Sequence, residues 1–237
     1  AEDGIRDTSV TGVQTCALPI FFITGTGTGV GKTYVTSNLI KVLRGAGKSV
    51  VGLKPVISGY CEDAIEQSDT ACILTAMGLS VQPQNVQRVS PWRFQEPISP
   101  DMAAEREERE IDFQELVKWT LGTRNETDYK LVEGVGGIMV PLSRASTVLD
   151  WIVALDYPVL LVGGSYLGSL SHTLSSIDVL RSRGVEVLAV IISESQEQPV
   201  AMIETVKTLK NFVVDIPVLS LPRGNDLVSI SSELGWT

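Results

Sequence analysis

From Ile20 onward, short apolar runs alternate with stretches whose apolar residues recur at helical spacing. Ile20–Thr24 is a near-continuous apolar run, as expected of a strand buried on both faces. Lys32–Leu43 has helical periodicity and stops near Gly45 and Gly47. Ser49–Val56 reads as the next strand, and Ser68–Met77 as a helix capped by Ser68 and ended by Gly78. Val86–Pro100, with Pro91, Pro97 and Pro100, reads as irregular; Asp101–Glu110 reads as a charged, solvated helix start. Asp112–Leu121 is an amphipathic helix with Asp112 as its cap. Then come a strand at Tyr129–Val132 closing on Glu133 and Gly134, a helix at Thr147–Leu155 and a strand at Pro158–Val162. A helix at Leu170–Ser182 is closed by Gly184. A strand at Val187–Ile192, a helix at Val200–Phe212 and a short strand at Pro217–Leu221 complete the pattern.

Strands and helices that alternate in this way predict an α/β fold, a parallel β-sheet flanked by helices on both faces. Ligands of such sheets lie beyond the carboxyl ends of the strands. The unusual polar residues of this chain fall at those ends.

Composition narrows the picture. The 237 residues carry a formal net charge of -9. That argues against a nucleic-acid groove or an anionic membrane as partner, because each needs a basic face. A nucleotide remains compatible, since a few local donors can hold phosphates within an acidic protein. Cys16, Cys61 and Cys72 form no Cys-x-x-Cys pair and no disulfide framework. This usage fits a reducing cytoplasm. No apolar run approaches the length of a membrane span.

The strongest chemical signal is Gly25-Thr-Gly-Thr-Gly-Val-Gly-Lys32-Thr33, set between a buried strand and an amphipathic helix. This is the context of a P-loop, so the sheet is expected to be P-loop NTPase-like. Backbone N–H groups of Thr28, Gly29, Val30 and Gly31 can wrap phosphates, helped by the helix dipole. Lys32 would reach the outer phosphates, and Thr33 would offer its hydroxyl to Mg2+. Counting back from Gly31, the usual first glycine would fall on Thr26, so starting at Gly25 makes this loop one residue longer. The dinucleotide-binding spacing fails, because Val30 or Lys32 stands where its last glycine belongs.

This longer loop resembles that of the dethiobiotin synthetase family. Three further segments match that family in order: Lys54-Pro-Val-Ile-Ser58-Gly59, Glu96-Pro-Ile-Ser-Pro100, and Val132-Glu133-Gly-Val-Gly-Gly-Ile-Met-Val-Pro-Leu142. The similarity runs from Phe21 to about Pro222. It implies an ATP-dependent ligase of biotin synthesis, in which diaminopelargonic acid, CO2 and MgATP give dethiobiotin, ADP and phosphate. It also implies a homodimer.

The resemblance assigns roles to particular positions. Lys54 and Lys32 would stabilise the carbamate and the transferring phosphoryl group. Thr33, Asp69 and Glu133 would hold magnesium, with Gly134, Val135 and Gly136 beside the nucleotide. Gly136 and Gly137 lack a Cβ and so would allow close backbone approach to a ligand. Ser58, Gly168, Ser169 and Ser171 would contact the substrate, the last three across a dimer interface. Ser193, Glu194 and Pro222 would line the base pocket. Two departures stand out. Ser171 replaces the family's asparagine, and Ser193-Glu194 replaces its Asn-Asp, so the paired donor and acceptor of an amide are missing opposite the base. His172, the only histidine, is given no chemistry.

Other readings predict features that differ. Cobyrinate-type amide-forming synthetases usually add a glutamine-hydrolysing domain with a Cys/His pair, which this sequence does not supply. Partitioning-type ATPases carry an extra lysine at the start of the loop, and no lysine occurs between Ala1 and Lys32. A degraded copy that still folds would lose MgATP binding. Ala1–Asp7 and Val10–Ile20 resemble a translated sequencing adapter, with Thr8-Ser9 at the index position. Residues 1–19 are therefore expected to be a non-native tail, and residues 20–237 a single ligase domain.

Overall fold

The computed structural model describes residues 20–123, 127–224, 227–233 and 235–236; the tail expected at residues 1–19 lies outside them. The chain forms β1 (Ile20–Gly25), α1 (Lys32–Gly45), β2 (Val50–Leu53) and β3 (Val56–Ser58). A short 3₁₀ turn (Glu62–Gln67) leads into α2 (Asp69–Ala76), α3 (Pro83–Val89), β4 (Trp92–Phe94), α4 (Pro100–Arg106) and α5 (Phe113–Gly122). Then follow β5 (Tyr129–Glu133), α6 (Val148–Leu155), β6 (Val159–Gly164), α7 (Ser169–Ser182), β7 (Val187–Ser193), α8 (Met202–Phe212), β8 (Val218–Leu221) and α9 (Val228–Glu233).

Six strands form one sheet in the order β2-β5-β1-β6-β7-β8, every pairing parallel. The central strands are solid with apolar residues: Phe22, Ile23, Leu131, Leu160 and Val162 are fully buried. Successive residues of β1 point to opposite faces of the sheet. Phe22 meets Trp151 of α6 edge-on at 4.9 Å between ring centroids, whereas Phe21 stacks on Trp236 at 4.4 Å. Both faces are thus covered, as the alternation of elements predicts.

Helix starts obey local chemistry. The Ser68 hydroxyl accepts the Ala71 N–H at 3.1 Å, and Asp112 accepts that of Glu115 at 3.0 Å. Thr147 and Asp150 form a reciprocal capping box at the start of α6.

Two sequence expectations need correction. The strand expected over Ser49–Val56 is broken at Lys54-Pro55. Pro55 has no N–H to continue the ladder, and its carbonyl accepts the Trp92 N–H at 3.0 Å, so the chain turns aside. β3 then pairs with β4 in a second, two-stranded parallel sheet. The region Val86–Pro100, expected to be irregular, contains the end of α3 and all of β4. Pro83 opens α3 in the first turn, where a proline costs no hydrogen bond. A three-residue strand is too short for alternation to reveal.

Gly52 lets β2 sit flush against two helices. A Cβ there would lie 2.5 Å from Ile40 Cδ1 and 2.8 Å from Ile73 Cγ2. Gly52→Ala is expected to lower stability by about 1–2 kcal/mol: overpacking costs ~1–3 kcal/mol, and reduced unfolded-state entropy returns only ~0.4–1 kcal/mol. Urea denaturation checks this; an unchanged midpoint would contradict it.

Candidate active site

β1 delivers the loop Thr26–Gly31 to the carboxyl edge of the sheet, where the Thr26 N–H is fixed to the Val162 carbonyl at 2.9 Å. Gly29 and Gly31 have φ of 73° and 97°, the left-handed region that favours glycine. Gly31 also has a packing reason: a Cβ there would stand 2.6 Å from Ser193 Oγ. The loop therefore lies directly against the end of β7. Gly137 serves a similar close approach, but to protein: its Cβ would meet the Thr26 backbone at 3.2 Å. The room at Gly137 thus accommodates the phosphate loop.

Two ammonium groups and two carboxylates converge below the loop. Lys54 directly follows β2 and is only 3% exposed. Its Nζ donates to Glu133 Oε1 at 2.7 Å and to the Gly134 carbonyl at 3.1 Å, and stands 3.2 Å from Asp69 Oδ2. The three donors of the ammonium are thereby used. Burial alone would lower the Lys54 pKa; the charges and hydrogen bonds of Glu133 and Asp69 outweigh it and raise the pKa above the ordinary lysine value. Burial acts likewise on Asp69, pushing its carboxyl up, but Lys54, hydrogen bonds from Thr33 and Lys54, and the Lys32 charge hold it below the usual range.

Glu133 closes β5 and is fully buried. Thr33, in the first turn of α1, donates its hydroxyl to Glu133 Oε1 at 2.7 Å. The second oxygen, Oε2, is buried with no hydrogen-bond partner. A carboxylate oxygen left in this state is costly unless a cation or donor completes it. Among the described residues no group of three or more His, Cys, Asp or Glu converges as a metal site. An ion here would draw on the Thr33 hydroxyl, Asp69 and Glu133, and would keep positions open for water or phosphate oxygens. That donor set suits magnesium rather than a zinc-type cage.

Lys32 is folded inward, its Nζ donating to the Gly27 carbonyl at 2.8 Å. Burial, and next the neighbouring Lys54 charge, push its pKa down to about 8 against the opposing pull of Glu133 and Asp69.

Two clefts open on either side of the loop. The first, about 640 Å³, is lined by Thr28, Lys32, Thr33, Lys54, Asp69 and Ser58, with Val135 and Gly136 on one wall and Pro97–Pro100 on another. Two motifs distant in sequence build that second wall together. Gly59 donates its N–H to the Glu96 carbonyl at 3.0 Å, and its Cα faces Pro97 so closely that a Cβ would come within 3.1 Å. The second cleft, about 580 Å³, is lined by Val30, Tyr166, Ser193, Glu194, Pro222 and Arg223, among others. Gly29, Gly31 and Tyr34 line both.

Most residues singled out in the sequence come together in these clefts. Gly134 lines neither; its carbonyl holds Lys54, and Phe22 covers its Cα at a distance that leaves a Cβ only 2.9 Å. The α7 start also lines neither cleft. Gly168 and Ser171 are exposed, whereas Ser169 is buried at 2% exposure. Sequence reasoning missed Tyr34, whose place in the first turn after the loop was the available signal. It also missed Tyr166 and Arg223, which no motif marks.

The comparisons with known proteins agree with this geometry. A family model described as an AAA domain matches residues 20–229. The ATP-dependent dethiobiotin synthetase of Methylobacterium nodulans is 42% identical over 86% of this chain and 92% of its own. That of Acidiphilium cryptum is 45% identical over 80% of this chain and 86% of its own. The solved structure of the septum site-determining protein MinD from Pyrococcus horikoshii, complexed with Mg-ADP, superposes with a TM-score of 0.50 at 17% identity, over 92% of this chain and 85% of that one. This last likeness concerns the fold alone: a parallel sheet with the loop at its centre. With the phosphate loop, the two clefts and relatives matched over nearly their whole length, the chain belongs to the ATP-dependent dethiobiotin synthetase family.

Proposed function

We propose that this protein joins diaminopelargonic acid and CO2 at the expense of ATP, giving dethiobiotin, ADP and phosphate. The observation that carries the reading is Lys54: a buried ammonium at the floor of a cleft between a phosphate loop and two carboxylates. The substrate occupies the first cleft, beside Ser58. One substrate amine adds to CO2 and loses a proton, giving a carbamate. A carbamate oxygen attacks the γ-phosphorus and ADP leaves. The second amine then attacks the carbamoyl carbon, phosphate leaves, and the cyclic urea is closed.

The protein positions the partners and balances charge, as in phosphoryl transfer generally. Backbone N–H groups of Thr28–Gly31 cradle the phosphates. Lys32 swings from the Gly27 carbonyl to the outer phosphates, and Lys54 faces the carbamate and the transferring group. Thr33, Asp69 and Glu133 would hold magnesium, which would supply charge neutralisation to the phosphates. Val135 and Gly136 border the nucleotide on that side, and Gly134 holds Lys54 from behind. The base enters the second cleft, beside Ser193, Glu194 and Pro222. Ser193 offers one hydroxyl rather than an amide, so discrimination among bases is weak. The α7 start, through Gly168, Ser171 and the backbone at Ser169, completes the substrate site of a second copy in a homodimer. Among the described residues no helix is long and apolar enough to cross a membrane. We take the reaction to be cytoplasmic, in keeping with the acidic net charge and the sparse cysteines, with no nucleic-acid or membrane partner, and residues 20–237 to act as one domain behind a non-native tail at 1–19.

Purified protein with MgATP, bicarbonate and diaminopelargonic acid is expected to yield dethiobiotin by mass spectrometry, with no product when bicarbonate or magnesium is omitted. Nucleotide binding without product would reject the substrate assignment. Lys54→Ala is expected to lower kcat by about 10²–10³-fold while sparing the fold by circular dichroism; full activity would sink the assigned role.

A pH dependence follows from Lys32. In the free protein this lysine loses its proton near pH 8. Phosphates favour the charged form, so ATP binding takes up a proton above that pH. Affinity is expected to fall as pH rises through about 8, by at most ~10-fold per pH unit. Calorimetry in two buffers of different ionisation enthalpy at pH 8.5 measures the uptake, and none detected would refute the coupling.

A further inference from the structure

The rim of the second cleft is held from behind by a chain of side-chain hydrogen bonds. Ser165 follows β6 and Ser195 follows β7, and each donates its backbone N–H to the other's hydroxyl at 2.9 Å. The Ser165 hydroxyl donates in turn to Gln198 Oε1 at 2.7 Å. Gln198 Nε2 donates to Glu194 Oε1 at 3.0 Å. The other Glu194 oxygen accepts the Arg223 N–H at 2.9 Å, and Arg223 Nε donates to the Glu194 carbonyl at 3.2 Å.

Chemistry fixes the direction of each link. A carboxylate only accepts, so Gln198 must turn its amide nitrogen toward Glu194. Its oxygen then faces Ser165, whose hydroxyl has to donate while still accepting the Ser195 N–H. No member can reverse without breaking another. The Arg223 N–H and then the Gln198 amide hold the Glu194 carboxyl below its usual range, as expected of a carboxylate that accepts from both.

The chain reaches a part of the rim that the sheet does not. β8 ends at Leu221, whose carbonyl accepts the Glu194 N–H at 3.0 Å. Beyond it, Pro222, Arg223 and Gly224 line the cleft. Glu194 ties that turn back to β7, and Gln198 and Ser165 hold Glu194. Neither Gln198 nor Ser165 lines either cleft.

We propose that Gln198 and Ser165 are positioning residues for the nucleotide base, acting through Glu194 on the Pro222–Gly224 rim. The proposal rests on the second cleft being the base site. Both Glu194 oxygens are already engaged within the protein, so Glu194 serves as a strut between β7 and the rim rather than as the group that reads the base.

The test compares ATP with inorganic tripolyphosphate, which carries the phosphates without a base. Binding of each is measured by calorimetry with magnesium, alongside steady-state dethiobiotin formation. Gln198→Ala is expected to raise Kd and KM for ATP roughly tenfold, the equivalent of one charge-assisted hydrogen bond. It should leave kcat within about twofold and tripolyphosphate affinity unchanged, and the latter also reports an intact phosphate loop. The double variant Glu194→Ala with Gln198→Ala should bind ATP no more weakly than Glu194→Ala alone, because the two residues act as one unit. Unchanged ATP affinity in Gln198→Ala, or equal weakening of ATP and tripolyphosphate, would overturn the positioning role. A wild-type protein that binds ATP no more tightly than tripolyphosphate would instead remove the base site, and with it the reading on which this rests.

Discussion

A fully buried carboxylate is the constraint around which the rest of this site is arranged. Glu133 has no water to solvate it, and an unpaired charge in that position would cost several kcal/mol, on the order of a domain's whole stability. One of its oxygens is answered by the Lys54 ammonium and the Thr33 hydroxyl. Those three residues come from the ends of β5 and β2 and from the first turn of α1. The register of β2 against β5, Leu53 opposite Val132, brings Lys54 and Glu133 out of the sheet side by side. Electrostatics and strand pairing therefore reinforce each other: a slip in register would strand two buried charges.

The same constraint separates the labour of the two clefts. On one side of the phosphate loop lie the charges, Lys32, Lys54, Asp69 and Glu133, arranged so that anions can replace internal partners. On the other lie the Ser193 and Ser195 hydroxyls, the Tyr166 ring and a turn of the chain, with Glu194 and Arg223 tied to each other rather than to the phosphate loop. Gly31 lies between them, close enough to Ser193 that a side chain there would have no room.

Much of this was legible in the sequence, for identifiable reasons. β1 and the loop after it could be read because a strand buried on both faces and a glycine run before Lys-Thr are both local signals. Glu133 stood out because a carboxylate ending an apolar strand has no packing rationale. The break at Lys54-Pro55 was not legible: an apolar run looks the same whether one strand or two, and the partner that draws Val56–Ser58 away is β4, more than thirty residues on. The Ser165–Gln198–Glu194 chain was invisible for a related reason, since three polar residues become a network only once the ends of β6 and β7 lie side by side. Gly137 was given the right property and a different neighbour; its missing Cβ makes room for the Thr26 backbone.

The narrow overlap of the clefts, at Gly29, Gly31 and Tyr34, bears on how such a protein can change over generations. Residues around the base can drift with little penalty to the bond-making machinery, because almost none of them touch it. A lineage could thus switch which nucleoside triphosphate it consumes, following whichever its cell keeps abundant, while the product stays the same. The reverse drift is harder: Lys54 and Glu133 are buried counterions of each other, and replacing either alone leaves the other unanswered.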